Sequence, residues 1–256
     1  MYRCKPDGSD KNKILDGNIF NFIIHNNYAY YIMDGILYAL DIDNFNNIPK
    51  ELSVNVLSFT ISEDENQVYF SSEKSSDTRV ANRTYIISKI DIKNITNIST
   101  ICETNVSCYR LYVNKNYLYL IDDGNIDSTV TSLSTVNVFR LNIAVSNSKP
   151  EKFISNCLIS TSLNIYNDSA YYITSAEKNI RYLTIRNLDS GKETNINLAG
   201  IFSSEDIDYY NLYVCDNTAY IYSPSNLLLY VVNITNKTCK KIYNDTEKVT
   251  YSINSR

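Results

Sequence analysis

A single histidine, His25, stands in this chain of 256 residues. Any Ser-His-Asp or Cys-His nucleophile system would have to be built on it, because the imidazole is the base that activates the hydroxyl or thiol. His25 closes the run IFNFIIH and is followed by two asparagines, which reads as a surface turn position at a strand end, and no catalytic residue is assigned. The same scarcity argues against a nitrogen- and sulfur-ligated metal, since Cys4, Cys102, Cys108, Cys157, Cys215 and Cys239 form no CxxC pair. No metal and no cofactor are expected. Most of the cysteines read as small core residues; only Cys102 and Cys108 are close enough for a local bridge, and two buried thiols are the expected state. No GxGxxG or GxxxxGK pattern occurs, and six glycines leave little room for a phosphate loop. Asp122-Asp123 and Glu205-Asp206 are adjacent carboxylates, but adjacency in sequence does not make a paired acid and base.

Composition narrows the partners. With 24 Lys and Arg against 28 Asp and Glu, scattered along the chain, there is no basic stripe for a nucleic-acid backbone, and nucleic acid is not expected. No apolar run approaches the roughly 18 to 20 residues that cross a bilayer, and the start, MYRCKPDGSDKNK, is polar where a signal peptide is apolar. A protein or glycan is the expected partner, and the chain is expected to be a monomer.

The elements that would position any site come from a repeat. NNYAYY, ENQVYF, KNYLYL, NDSAYY and DNTAYI align on Tyr30, Tyr69, Tyr119, Tyr171 and Tyr220, which lie 39, 50, 52 and 49 residues apart. A period in this range marks propellers and solenoids. Each anchor run is followed by a second strand-like run (LYALDI, YIISKIDI, NVFRLNI, YLTIRNL, LLYVVNI) and preceded by another (IFNFIIH, VLSFTIS, YRLYVN, SLNIY, YYNLYV). Branched and aromatic residues fill these runs and Asn, Asp or Gly sits between them, which is hairpin chemistry. A short fourth strand such as KTCKKIY closes most units. The fold class is therefore all-β: a β-propeller of four-stranded antiparallel blades, at about residues 17–52, 53–102, 103–154, 155–197 and 198–244. Residues 1–16 match the last two strands of a unit and 245–256 match a first strand. If these ends assemble one composite blade, the single domain has six.

The strand-turn-strand at Tyr30 to Ile42 and the Tyr-Arg…Asp-Gly form at Tyr2 to Gly8 resemble the bacterial propellers called domain of unknown function 5050, which are described as similar to the propeller of low-density-lipoprotein-receptor-related proteins. The resemblance implies the propeller fold and an extracytoplasmic or cell-surface scaffold, with a cytoplasmic location as the alternative. It supplies no catalytic residues. The tryptophan of the receptor-type propellers has no counterpart, because this chain has none.

The repeat is broken in two places. From each anchor tyrosine to the end of the next strand, at Ile42, Ile92, Ile143, Leu188 and Ile234, the spacing is 12, 23, 24, 17 and 14 residues. The extra length lies between second and third strands, in SSEKSSDTRVANR (71–83) and DDGNIDSTVTSLSTVN (122–137). In a propeller this connection emerges on one face in every blade, so two adjacent blades raise two polar loops together, as repeat insertions at binding faces do. The candidate binding residues are Glu73, Lys74, Asp77, Arg79 and Arg83 on the first loop and Asp122, Asp123 and Asp127 on the second. SSEDIDYYN (203–211), expected on the same face, adds Glu205, Asp206, Asp208 and Tyr209. The reading is a non-catalytic binding module. The alternatives are a carbohydrate-active hydrolase with carboxylates at the channel mouth, or a structural segment of a larger surface protein.

Overall fold

The computed structural model describes residues 1–5, 7–44, 48–62, 64, 66–74, 83–122, 135–158, 163–177, 180–198, 211–223 and 228–242. Among them there is no helix, and no helix long and apolar enough to cross a membrane. The strands fall into one two-stranded and five four-stranded sheets. In chain order the small sheet is β1 (Tyr2–Arg3) and β2 (Asn12–Lys13). Sheet 1 follows with β3 (Ile19–His25), β4 (Tyr28–Met33), β5 (Ile36–Asp41) and β6 (Lys50–Ser53). Sheet 2 has β7 (Val56–Ile61), β8 (Gln67–Glu73), β9 (Tyr85–Asp91) and β10 (Asn94–Thr104). Sheet 3 has β11 (Arg110–Asn114), β12 (Tyr117–Asp122), β13 (Thr135–Asn142) and β14 (Glu151–Leu158). Sheet 4 has β15 (Asn164–Tyr166), β16 (Ser169–Glu177), β17 (Ile180–Asn187) and β18 (Glu193–Asn197). Sheet 5 has β19 (Asn211–Cys215), β20 (Thr218–Ser223), β21 (Leu228–Asn233) and β22 (Thr238–Lys241). Each four-stranded sheet is a meander in sequence order.

Turn chemistry explains the meander. Asp34 and Gly35 both have positive φ (52° and 76°) between β4 and β5, as do Asn167 and Asp168 (45° and 56°) between β15 and β16. That is the pattern of the two-residue hairpin turn whose twist matches its strands. The exits from third strands repeat a second device. Asp41 accepts the amide of Asp43, Asp91 that of Lys93, Asn142 that of Ala144, Asn187 that of Ser190 and Asn233 that of Asn236. An Asx side chain here replaces a ladder partner just where the chain must leave the sheet.

The chain forms two compact units, one of residues 1–125 and 138–153, the other of 126–137 and 154–256. In the first, Tyr30, Ile32, Leu37 and Ala39 of sheet 1 pack against Val56, Phe59, Val68 and Phe70 of sheet 2. Tyr69, Tyr85 and Ile87 on the other side of sheet 2 pack against Leu111, Leu118, Leu120 and Leu141 of sheet 3. β7 runs beside β3 on one side and β11 on the other, so the first strands of sheets 1, 2 and 3 are neighbours. In the second unit, Tyr171, Ile173 and Leu183 of sheet 4 face Leu212, Ala219, Ile221 and Tyr230 of sheet 5. A strand buried on both faces must be apolar at consecutive positions, which is why β4 reads YAYYIM and not a strict alternation.

Residues 1–16 contain the two strands expected of them. Lys5 accepts the amide of Gly8, whose φ is +81°, and Asp7 Oδ1 accepts the backbone amide and hydroxyl of Ser9. The segment packs Met1, Ile14 and Leu15 on the Ala29, Tyr31 and Leu40 side of sheet 1. Residues 245–256, the expected other half of a composite blade, lie outside the described residues.

Candidate functional site

Connections between second and third strands differ in length by a factor of six. Two residues link β4 to β5 and β16 to β17, and four link β20 to β21, while eleven (74–84) link β8 to β9 and twelve (123–134) link β12 to β13. The strand ends from which the long connections leave gather a set of polar groups. Tyr85, first residue of β9, pairs in register with Glu73, last residue of β8, and on its other side with Thr104 of β10. Lys74 Nζ donates to both carboxylate oxygens of Glu103 at 2.7 Å. Arg83 Nε lies 3.4 Å from Glu73 Oε1, with both side chains about a quarter exposed. Asp122, last residue of β12, accepts from Ser107 Oγ at 2.7 Å and from the Ser107 amide at 3.3 Å. The first loop is therefore tied at both roots, and the strand from which the second departs is tied to the segment between sheets 2 and 3.

Two aromatic rings back this cluster. Tyr85 is buried and meets Tyr109 edge-on, with centroids 6.5 Å apart. Burial raises the Tyr85 phenol above its ordinary value; Tyr109 and the Glu73 carboxylate add to this and the facing Arg83 guanidinium partly offsets it. The phenol thus stays protonated near neutrality, with its hydroxyl buried beside the Arg83 guanidinium and the Glu73 carboxylate.

Of the twelve candidate residues, the structure places Glu73, Lys74, Arg83 and Asp122, and brings the first three to the open end of the β8–β9 strand pair in sheet 2. Asp77, Arg79, Asp123, Asp127, Glu205, Asp206, Asp208 and Tyr209 lie outside the described residues. The loop bounds need correcting. Ser71 and Ser72 belong to β8 and Asp122 to β12, and Thr135–Asn137 begin β13. Ser71 reads as loop because it is polar, yet it is fully buried, its hydroxyl donating to the Cys108 carbonyl at 2.5 Å. Sequence reasoning also passed over Tyr85 and Glu103, which meet Glu73 and Lys74 through the pairing within sheet 2, and over Ser107, which meets Asp122 from the segment before sheet 3.

His25 also departs from expectation. It is 7% exposed rather than a surface turn residue. The turn at Asn26, with φ 49°, folds back on it and sets the Asn26 amide nitrogen 2.7 Å from His25 Nε2. Cys108 is buried and donates to the Val106 carbonyl at 3.0 Å, Cys102 is half-buried with its thiol pushed up to about 11 by desolvation, and no disulfide joins them. Among the described residues no group of three or more His, Cys, Asp or Glu converges as a metal-binding cluster.

A second polar constellation lies in the other unit. Tyr172 donates to Glu193 Oε1 at 3.0 Å and Arg186 Nη1 donates to the same oxygen at 2.6 Å. Arg186 and Glu193 are directly opposite in the β17–β18 register, so this is a cross-strand pair capped by a buried phenol, a structural arrangement.

Among solved structures the chain is similar to the tricorn protease, at 11% identity and TM-score 0.62 over 95% of this chain and 28% of that one. It is also similar to TolB from Acinetobacter baumannii, at 10% identity and TM-score 0.56 over 94% and 58%, and to the Pan2 WD40 domain of Neurospora crassa, at 11% and 0.57 over 88% and 65%. The chain thus spans less than two thirds of each of them. These are β-propellers, and at such identities the likeness shows fold alone: an all-β chain of four-stranded antiparallel sheets of the propeller kind. No protein-family model matches the chain, and no curated protein does.

Proposed function

We propose that the chain is a non-catalytic interaction module. It recognises a protein or glycan through the face that carries the β8–β9 and β12–β13 connections, with the twelve candidate residues as its contact set. The observation that carries this reading is the contrast in connection length. Three of the five sheets close the same hairpin with two to four residues, whereas adjacent sheets 2 and 3 use eleven and twelve. Ion pairs and a buried serine are spent on holding the roots. Long loops on a rigid scaffold are where binding surfaces concentrate. The described carboxylates favour binding over hydrolysis, because Glu73, Glu103 and Asp122 are each engaged by a neighbouring cation or hydroxyl. The resemblance to domain of unknown function 5050 and the surface location that it implies belong to this proposal.

The test compares the intact chain with a variant in which residues 75–82 and 124–134 are replaced by tight turns, each used for crosslinking capture from cell-envelope material and for a glycan array. A ligand retained by the first and lost by a variant with an unchanged circular dichroism spectrum supports the reading. Equal capture by both, or by neither, overturns it.

A further inference from the structure

The fourth strand of each sheet is an edge, and four of the five are blunted. β6, β18 and β22 are four or five residues long, and together with β14 they carry Lys50 and Glu51, Glu193, Lys240 and Lys241, and Glu151 and Lys152. Short length and charge are what keep a row of unpaired N–H and C=O groups from pairing with another chain. β10 has neither. It is eleven residues long, the stretch Asn94–Cys102 is uncharged and free of Gly and Pro, and among the described strands only β9 pairs with it. Branched Ile and Thr alternate there with Asn and Ser, a composition that favours strand-to-strand pairing.

Ile95 reaches the cluster on one side of sheet 2 and Ile101 and Cys102 the cluster on the other, which seats the strand on its sheet, while Ile98 near its middle is 46% exposed. One blunting device is present, because the pairing with β9 shifts between Asn94 and Ile98 and between Thr100 and Cys102. Ile98–Thr100 and Cys102–Thr104 still step one for one along β9, and no residue of β10 has a positive φ. An extended, uncharged edge thus remains open.

We infer that β10 is an interface on which a second copy of this chain pairs, β10 against β10 and antiparallel. The flanking charges select that arrangement. Lys93, exposed, precedes the strand, and Glu103, held by Lys74 yet half exposed, lies at its far end. Antiparallel pairing about a two-fold axis therefore sets Lys93 beside Glu103 of the second copy at both ends, whereas parallel pairing would set like charges together. Ile98 is midway between Lys93 and Glu103 in sequence, so it meets its own counterpart at the axis. Such a contact uses the same edge on both copies, and assembly stops at two. Thr104 pairs with Tyr85 at the root of the 74–84 connection, so the long connections of the two copies leave from opposite ends of the joined sheet.

The test is sedimentation velocity of the full chain across a wide range of concentration. Low ionic strength is used, where exposed ion pairs are least screened, and reductant is present so that the exposed Cys4 and Cys215 cannot cross-link. A reversible dimer is expected. Ile98→Lys, which gives β10 the charge that the other fourth strands carry, should yield a monomer with an unchanged circular dichroism spectrum. Lys93→Glu should raise the dissociation constant several-fold, and adding Glu103→Lys should bring it back by exchanging the two signs. The charge exchange keeps the test valid if Ile98→Lys fails to fold. A monomer at every concentration overturns the inference, as does a dimer indifferent to Ile98→Lys, a double variant no tighter than Lys93→Glu alone, or assembly that continues beyond two copies.

Discussion

Replacing Ser58 by Ala isolates a contact on which the joint between sheets 2 and 3 depends. Ser58 on β7 is 4% exposed and its hydroxyl accepts the amide of Leu111 at 3.0 Å. Directly opposite in the β7–β8 register, Ser71 donates to the Cys108 carbonyl. Leu111 lies on β11, the edge strand of sheet 3, so its outward amide has no ladder partner and the serine supplies one. Ser58→Ala leaves a buried N–H without an acceptor, which costs about 1–3 kcal/mol. Ser71→Ala leaves a carbonyl, whose second lone pair is easier to satisfy, and should cost about 0.5–1.5 kcal/mol. Urea unfolding with a common m-value reads both, and Ser99→Ala on an exposed position of β10 serves as a control expected within about 0.5 kcal/mol of the parent. Because the two serines sit side by side and reach the same four-residue stretch, the double variant should depart from additivity. A Ser58→Ala cost no larger than that of Ser99→Ala, or smaller than that of Ser71→Ala, would refute the assignment of the Leu111 amide to Ser58.

Alkaline pH should expose the tyrosine core. Burial, with smaller contributions from Tyr28 and Tyr38, pushes Tyr30 and Tyr31 up to about 12 from 10.0, so the unfolded chain loses these protons before the folded one does. Their contribution to stability is intact below pH about 10 and falls as pH rises towards 12; tyrosinate absorbance should show these two groups ionising only together with unfolding. Gly17→Ala should destabilise more than Gly8→Ala. Both glycines have positive φ (124° and 81°), but a Cβ on Gly17 would lie 2.6 Å from Met33 Sδ and one on Gly8 meets nothing within 4 Å, so the thermal midpoints compare the clash at similar strain. Charge reversal of the exposed Lys74–Glu103 pair, one residue at a time, should change stability by less than about 1 kcal/mol, and any loss of ligand capture then reports binding.

Much of the fold can be read from spacing because hairpins are local. Asp34-Gly35 announces a two-residue turn, and counting from each anchor tyrosine to the next strand end locates the long connections in the second and third units before any coordinates. What sequence does not carry is which polar side chains meet. Glu103 lies 29 residues from Lys74, and Ser107 lies 15 from Asp122; neither separation has a period that a local pattern could reveal. Polarity also misleads at boundaries. Ser71 extends β8 with its hydroxyl on the Cys108 carbonyl, in the segment between sheets 2 and 3, and His25 is drawn inward because the asparagine turn closes over it. Eight of the twelve candidate binding residues sit on connections whose residue types were legible while their placement was not.

The core is assembled face by face, and this sets how far damage should travel. Leu37 is fully buried between sheets 1 and 2, in the cluster with Phe59, Val68 and Phe70, while the other side of sheet 2 packs through Tyr69, Tyr85 and Ile87 into a separate cluster with sheet 3. Deleting three carbons with Leu37→Ala should cost about 2.7–5 kcal/mol through the cavity left behind. In a repeat array, where each unit's stability is its own term plus those of its adjacent interfaces, the loss should be felt mainly at the sheet 1–sheet 2 joint. Native-state hydrogen exchange is the measurement. The amides of Tyr30 to Ile32 on β4 should exchange faster by the full free-energy loss, and those of Leu118 to Ile121 on β12 by a smaller factor. Equal acceleration at both places would mean that the three sheets open as one cooperative body, and that the interfaces cannot be treated as separate terms.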